Sequence, residues 1–491
     1  MKNIYCILLF TAFILNACYD DKGNYNYKDI NEIEISFEDN ASYTKTFGEV
    51  LELTPILNFD LSQEGDRYTY LWKLNDETRE GWDQPTLKWE IDEVVDRGKI
   101  SLEITDHKYG VSYLGYATLS VVGIYENARS WMILSEVGGK SQLSYFNMLE
   151  YDSEVDTIIS SRITLDVYGM SNDGAELGSG PIALQEHFRE GVDWNENIVG
   201  NVCVFQESGA VDLSGVDFTK EIDMAEAFDG GTYPAGVILG PGTFMDWVDI
   251  VTDQEGRLYS RLKSVSTVYN TDYFLHTPLS CTGETEPLRN CTVIPGYYRS
   301  NRTGYNFVYD GENKRLLYVT NGGTNWESDL QGAGRVTALP AFCGENDDID
   351  KIIPLNDMKG YELLKATMFG FGYPNYGVAL LLKEEATGKI FLQRVKITGS
   401  NAKPRILEIF KDEVIGLPGI PTVSALPLNG PEYMFFAVDK NVYCLDLNNI
   451  TKPVTLYKSF DANVVAMNAE SETYSCAHMA VGLENGEFYI F

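Results

Sequence analysis

At 491 residues the chain is too long for one ordinary domain and suits two or three. Its formal net charge of −34 repels phosphate backbones and argues against nucleic acid as a partner. Aromatic residues at 12%, among them 31 tyrosines, favour strands, so the expectation is an all-β protein.

In chain order, Lys2 precedes a mostly apolar run from Ile4 to Leu15. That run is too short to span a bilayer as a helix but suits the core of a secretion signal. Leu15-Asn16-Ala17-Cys18 follows, and a cysteine directly after a small residue resembles the lipobox of bacterial lipoproteins. The resemblance implies that residues 1–17 are removed and that Cys18 becomes the lipidated first residue. An ordinary signal peptide with a chance cysteine is the plain alternative. Residues 18–29, with Tyr19-Asp20-Asp21-Lys22-Gly23-Asn24-Tyr25-Asn26-Tyr27, read as a polar tether. Its acidic residues look like the signal with which Bacteroidota send lipoproteins to the outer face of the outer membrane. No later segment reaches the length of a membrane span, so the lipid is the expected anchor, with the protein facing the cell exterior.

Residues 30–125 alternate apolar and polar positions between turn signals. Ile33-Glu34-Ile35-Ser36-Phe37, Val50 to Ile56, Tyr68 to Leu74, Ile100 to Asp106 and Tyr116 to Val122 each read as a strand. Short strands at this spacing indicate a β-sandwich. The Tyr70-Leu71-Trp72 strand, the Leu102-Glu103-Ile104-Thr105-Asp106 strand and the aromatic-rich strand after it resemble a PKD or immunoglobulin-like domain. Trp72 is then the core tryptophan.

Over residues 126–491 an apolar strand runs seven times into a polar turn and a second strand. The copies start at Trp131, Val202, Val248, Tyr305, Val378, Met434 and Met479. Their mean spacing is about 58 residues, and their turns use Asp, Glu, Asn, Gly and Lys. Such units cannot bury both faces alone; packed radially they make a β-propeller, with seven blades expected and six or eight open. The first copy lacks a preceding inner strand, and the chain stops at Phe491 on the second strand of a copy.

The lipobox, the leader Cys18-Tyr19-Asp20-Asp21-Lys22-Gly23-Asn24, the PKD-like domain and a degenerate propeller together resemble the PKD-like family of Bacteroidota lipoproteins, across essentially the whole chain. The resemblance implies a context similar to accessory lipoproteins of outer-membrane importers of the starch-utilisation type. It assigns no activity and transfers no catalytic residue.

Motifs for chemistry are sparse. Beyond Cys6 and Cys18 the cysteines are Cys203, Cys281, Cys291, Cys343, Cys444 and Cys476. None forms a CxxC pair, which sets a structural zinc site aside. Cys281 and Cys291 flank a Gly/Glu/Pro loop and are a candidate disulfide worth about 2–3 kcal/mol, with buried free thiols as the alternative. The four histidines, His107, His187, His276 and His478, fall in no metal-ligand spacing, and neither GxSxG nor GxxxxGK[ST] occurs, so no metal, cofactor or catalytic residue is expected. Gly344-Glu345-Asn346-Asp347-Asp348-Ile349-Asp350 clusters oxygen ligands without the EF-hand pattern and reads as a solvated loop.

Carboxylates are the ambiguity, because a glycosidase needs only two at about 5–10 Å. Glu207, Asp246 and Asp249 lie near inner-strand positions. Aromatic residues in turn-rich stretches are the better clue. Trp194, Trp326 and the run Phe369 to Gly377, with Phe371, Tyr373 and Tyr376, would present flat rings to a sugar, with packing between blades as the alternative. The leading expectation is a non-enzymatic component that holds a glycan or peptide for an outer-membrane nutrient importer. A propeller glycoside hydrolase or lyase and a protein–protein scaffold are the alternatives.

Overall fold

The computed structural model describes residues 30–38, 41–61, 67–125, 130–152, 157–187, 200–245, 247–263, 272–294, 305–321, 332–341, 351–370, 375–398, 404–427, 432–469 and 478–491. Among these, the α-helix Val167–Ser171 and short 3-10 turns such as Asp229–Gly231 interrupt an otherwise all-β chain. Two compact units divide it, one ending at Val121 and the other running from Val122 to Phe491.

In the first unit, Tyr68–Leu74 lies at the edge of a four-stranded sheet, antiparallel to Val95–Asp106, which is antiparallel to Val111–Val122, with Ser42–Thr46 at the other edge. Ile33–Ser36 pairs with Ile56–Phe59, and Val50–Leu53 pairs with Leu87–Glu90. Period-two alternation sends Trp72, Ile100, Leu102, Ile104 and Leu119 inward against Leu51, Leu53, Leu87 and Trp89, forming a PKD-like sandwich core. Trp72 is fully buried, and its Nε1–H donates to Gln84 O at 2.8 Å, satisfying the indole as burial requires. Arg67 forks onto the buried Asp106 carboxylate and holds that carboxyl below its usual range.

The second unit is a chain of simple meanders, seven sheets among the described residues. The first holds Ser130–Val137, Lys140–Asp152 and Thr157–Thr164; the second Pro181–His187, Asn201–Gln206, Val211–Ser214 and Lys220–Asp223. The third holds Leu239–Phe244, Val248–Asp253 and Leu258–Leu262; the fourth Cys291–Val293, Tyr305–Asp310, Arg315–Thr320 and Val336–Ala338. The fifth is Tyr361–Gly370, Asn375–Glu384, Ile390–Thr398 and Arg405–Glu413, and the sixth Val423–Ala425, Tyr433–Val438, Asn441–Asp446 and Thr455–Ser459. Val464–Ala469, Met479–Leu483 and Phe488–Ile490 make the last.

Each sheet shares an apolar layer with the next. Asn201–Gln206 illustrates why: Val202 and Val204 pack toward the first sheet, while Cys203 and Phe205 pack toward the third, so the strand is apolar on both faces. Each fully buried large side chain contributes about 1.5–3 kcal/mol. The opening strands of successive sheets lie side by side, Ser130–Val137 by Pro181–His187 and the latter by Leu239–Phe244. Phe146 of the first sheet meets Phe488 of the last, ring centroids 6.0 Å apart, so the series returns on itself. That closure of radially packed meanders is a β-propeller. Its entry is pinned within the second unit, where Ile124 N–H donates to Val216 O at 2.8 Å and Tyr125 stacks on Phe218 at 4.6 Å.

The tight hairpins follow from their turn residues. Gly138 and Gly139 both carry positive φ, 59° and 80°, which the two-residue turn before Lys140 requires. Asp253 and Asp310 instead cap their turns: Asp253 Oδ1 accepts from the N–H of Glu255 (3.0 Å) and Arg257 (2.9 Å), and Asp310 Oδ1 from that of Asn313 (3.0 Å).

The candidate disulfide is not formed; Cys281 and Cys291 are both free and buried. Backbone pairing takes them to different strands, Cys281 bridging to Val336 and Cys291 pairing with Asp310. Both side chains sink into the apolar layer between the third and fourth sheets, where burial pushes the Cys291 thiol up to about 12.

Candidate functional site at the far end of the propeller

A four-stranded meander has two unlike ends. Its second and third strands join in a hairpin at one end, while the first-to-second and third-to-fourth connections leave from the other, called here the far end. At the far end of the second to fifth sheets, polar side chains are buried and bond from sheet to sheet.

Between the second and third sheets, Gln185 makes two bonds to one residue: its Nε2 donates to Gly242 O and its Oε1 accepts from Gly242 N–H, each at 2.8 Å. Two positions on, His187 ends its strand with its ring stacked on Phe244, centroids 4.3 Å apart. Its Nε2 donates to Asp212 Oδ1 at 2.7 Å, with the two side chains 1% and 3% exposed. Asp212 lies two strands away, so the imidazole reaches across the intervening strand, where register puts Asn201 opposite His187 and Cys203 opposite Asp212. Burial raises the Cys203 thiol well above its ordinary value, and the neighbouring Asp212 adds to the rise. That thiol is inert packing, not a nucleophile.

Asp249 lies in the same layer, on the third sheet. It stands opposite Arg261, accepts from Arg261 Nε at 2.8 Å and lies 3.0 Å from Lys263 Nζ. Arg261 also sits over the Phe274 ring at 4.9 Å. From the third sheet to the fourth, Asn306 Nδ2 donates to Thr243 Oγ1, and Trp247 N–H donates to Asn321 Oδ1 at 2.9 Å. From the fourth to the fifth, Tyr376 donates its hydroxyl to Tyr305 at 2.6 Å, and burial raises both phenols above their ordinary value.

The sequence-predicted residues fall as follows. Tyr376 is half-buried and joins two sheets. Trp194, Trp326, Phe371 and Tyr373 lie outside the described residues, as do Asp246 and the run Gly344 to Asp350. The connections that carry Trp194, Trp326, Phe371 and Tyr373 depart from far-end strand termini: His187, Thr320 and Gly370. Glu207 and Asp249 are not brought together. Glu207 is exposed in the hairpin after Asn201–Gln206, whereas Asp249 is fully buried near the far end of the next sheet. Among the described residues, no group of three or more His, Cys, Asp or Glu is placed to hold a metal ion.

Sequence reasoning missed the pair His187–Asp212 and the cluster Asp249–Arg261–Lys263. One signal was available: Val211-Asp212-Leu213 and Val248-Asp249-Ile250 each set a lone carboxylate inside an apolar strand, where burial demands a partner.

Comparison with known proteins adds one family. A model of the PKD-like family matches residues 18–181, which include the described first unit and the first sheet of the second. No curated protein matches the chain. Among solved structures it is similar to a putative phosphatase from Bacteroides thetaiotaomicron VPI-5482, at 8% identity over 91% of this chain and 94% of that one, TM-score 0.29. It is also similar to rhamnogalacturonan lyase YesW, at 10% identity over 93% and 88%, TM-score 0.28. A chain of the mitotic checkpoint complex matches at 6% identity over 63% and 91%, TM-score 0.30. At such scores no residue role transfers from them.

Proposed function

We propose that this protein is a lipid-anchored binding component on the exterior of the outer membrane, holding a glycan at the far end of its propeller for a nutrient importer. The observation that carries the reading is the layer of buried, inter-sheet polar contacts at that end. It fixes the strand termini from which the aromatic-rich connections depart, as a rigid scaffold for binding loops requires. The lipobox-like Leu15-Asn16-Ala17-Cys18 supports the anchor, and the family match begins at Cys18. The alternative of a two-carboxylate hydrolase is less well supported, because Asp249 is engaged by two cations and Asp212 by His187.

Two measurements test this. In cells fed a labelled fatty acid, the wild-type chain should carry label and be degraded by protease added outside; Cys18→Ala should lose both properties. In native gels cast with soluble polysaccharides, the purified protein should be retarded by at least one of them without shortening it. Absence of label, or release of reducing ends during the assay, would sink the corresponding half of the proposal.

A further inference from the structure

His187 has one ring nitrogen engaged and one not. Nε2 donates to Asp212, which as a carboxylate only accepts, so the neutral ring offers a lone pair at Nδ1. Nδ1 is buried and has no hydrogen-bond partner. Directly across the ladder stands Asn201, whose Nδ2 is likewise buried without a partner. The two residues are 1% and 7% exposed. Leaving a buried polar group without a partner costs free energy, and here two such groups stand on paired positions, which share a face with Cβ atoms about 4.5–5.5 Å apart.

Their chemistry is complementary to one kind of guest. Nδ1 needs a donor and Nδ2 needs an acceptor. A cation would satisfy the first and be repelled by the amide hydrogens; an anion would do the reverse. A hydroxyl group both donates and accepts. We infer that His187 and Asn201 form a hydroxyl-binding notch at the far end of the second sheet, with Asp212 as the positioning residue that fixes the imidazole tautomer and Phe244 holding its plane. Water and a carbohydrate hydroxyl share this chemistry; the carbohydrate source rests on the function proposed above.

The test uses the full mature chain labelled with ¹⁵N-histidine. Only four histidines exist, so His187→Gln assigns the His187 signals. At neutral pH, Nε2 should carry the proton, and Nδ1 should show the shift of a nitrogen accepting a hydrogen bond. Asn201→Leu, which keeps bulk while removing the donor, should move the Nδ1 signal and leave the Nε2–H signal in place. Adding glucose, galactose or N-acetylglucosamine separates the sources. A saturable Nδ1 shift identifies a sugar hydroxyl; an unchanged signal with a cross-peak to solvent identifies water. A proton on Nδ1, or a signal indifferent to both Asn201→Leu and sugars with no solvent cross-peak, overturns the notch. If polysaccharide retardation fails while the solvent-linked Nδ1 bond persists, the notch stands and the proposed function falls. If retardation occurs while Nδ1 stays indifferent, the proposed function stands and the notch falls.

Discussion

The two ends of the propeller's sheets solve the same problem differently. At the hairpin end, buried or half-buried carboxylates are satisfied by near neighbours: Asp253 by Arg257, four residues on, and Asp310 by Asn313 and Arg315, three and five residues on. At the far end the partners are distant in sequence. His187 and Asp212 are 25 residues apart, Gln185 and Gly242 57, Thr243 and Asn306 63, Tyr305 and Tyr376 71, and Trp247 and Asn321 74. Local bonds of the first kind specify turns. His187–Asp212 ties two strands of one sheet, whereas the other four form only once neighbouring sheets have packed, so they fix one sheet against another. The difference teaches that the hairpin end directs the folding of each sheet, and the far end sets the precision of the assembled ring.

That contrast can be broken or sharpened by substitution. The largest effect is expected at Asp249→Ala, which removes the carboxylate shared by Arg261 and Lys263, both nearly buried. Stability should fall by about 3–5 kcal/mol in urea titrations; a loss below about 1 kcal/mol would show that the cluster is not structural. Gln185→Leu comes next, since it orphans both the N–H and the C=O of Gly242, at about 2–4 kcal/mol. At the hairpin end, Asp310→Ala should cost about 1–2 kcal/mol, because Arg315 keeps its fork to Glu284 and stays in reach of water. A cost at Asp310 larger than at Gln185, whose bonds join two sheets, would invert the comparison.

The smallest effect is a pH dependence. The Arg315 guanidinium, bonded to Glu284, holds that carboxyl below its usual range. A depressed folded value means the contribution is present above the ordinary carboxylate range, near 4.5, and is lost as pH falls through the lower folded value. Glu284→Gln should therefore narrow the drop in Tm between about pH 6 and about pH 3. An unchanged drop would show the pair to be a surface contact without consequence.

Legibility in the sequence divides along the same line. The strand pairs, their order and the acidic turns could be read because each depends on residues within one hairpin, as Val248-Asp249-Ile250-Val251-Thr252-Asp253 and its return strand show. Trp72 was legible as core because period-two alternation puts it on the same face as Tyr68 and Tyr70. The His187–Asp212 pair was not, because two strands of a folded sheet separate its members, and no spacing rule encodes that reach. The free state of Cys281 and Cys291 was hidden for a related reason. The short span between them suits a loop closure, but the strands each cysteine pairs with are set by contacts beyond that loop. The site remains the least legible part: of the rings named for it, Tyr376 lies in a strand and bonds to the neighbouring sheet, and the others lie outside the described residues.

The most direct test of the claim that recognition belongs to the far end is amide hydrogen exchange, with and without a polysaccharide that retards the protein. Protection should rise in peptides covering 184–204, 243–249, 303–308 and 374–378, with little change at the hairpins 207–210, 254–257 and 311–314. Protection confined to those hairpins, with the far end unchanged, would contradict it.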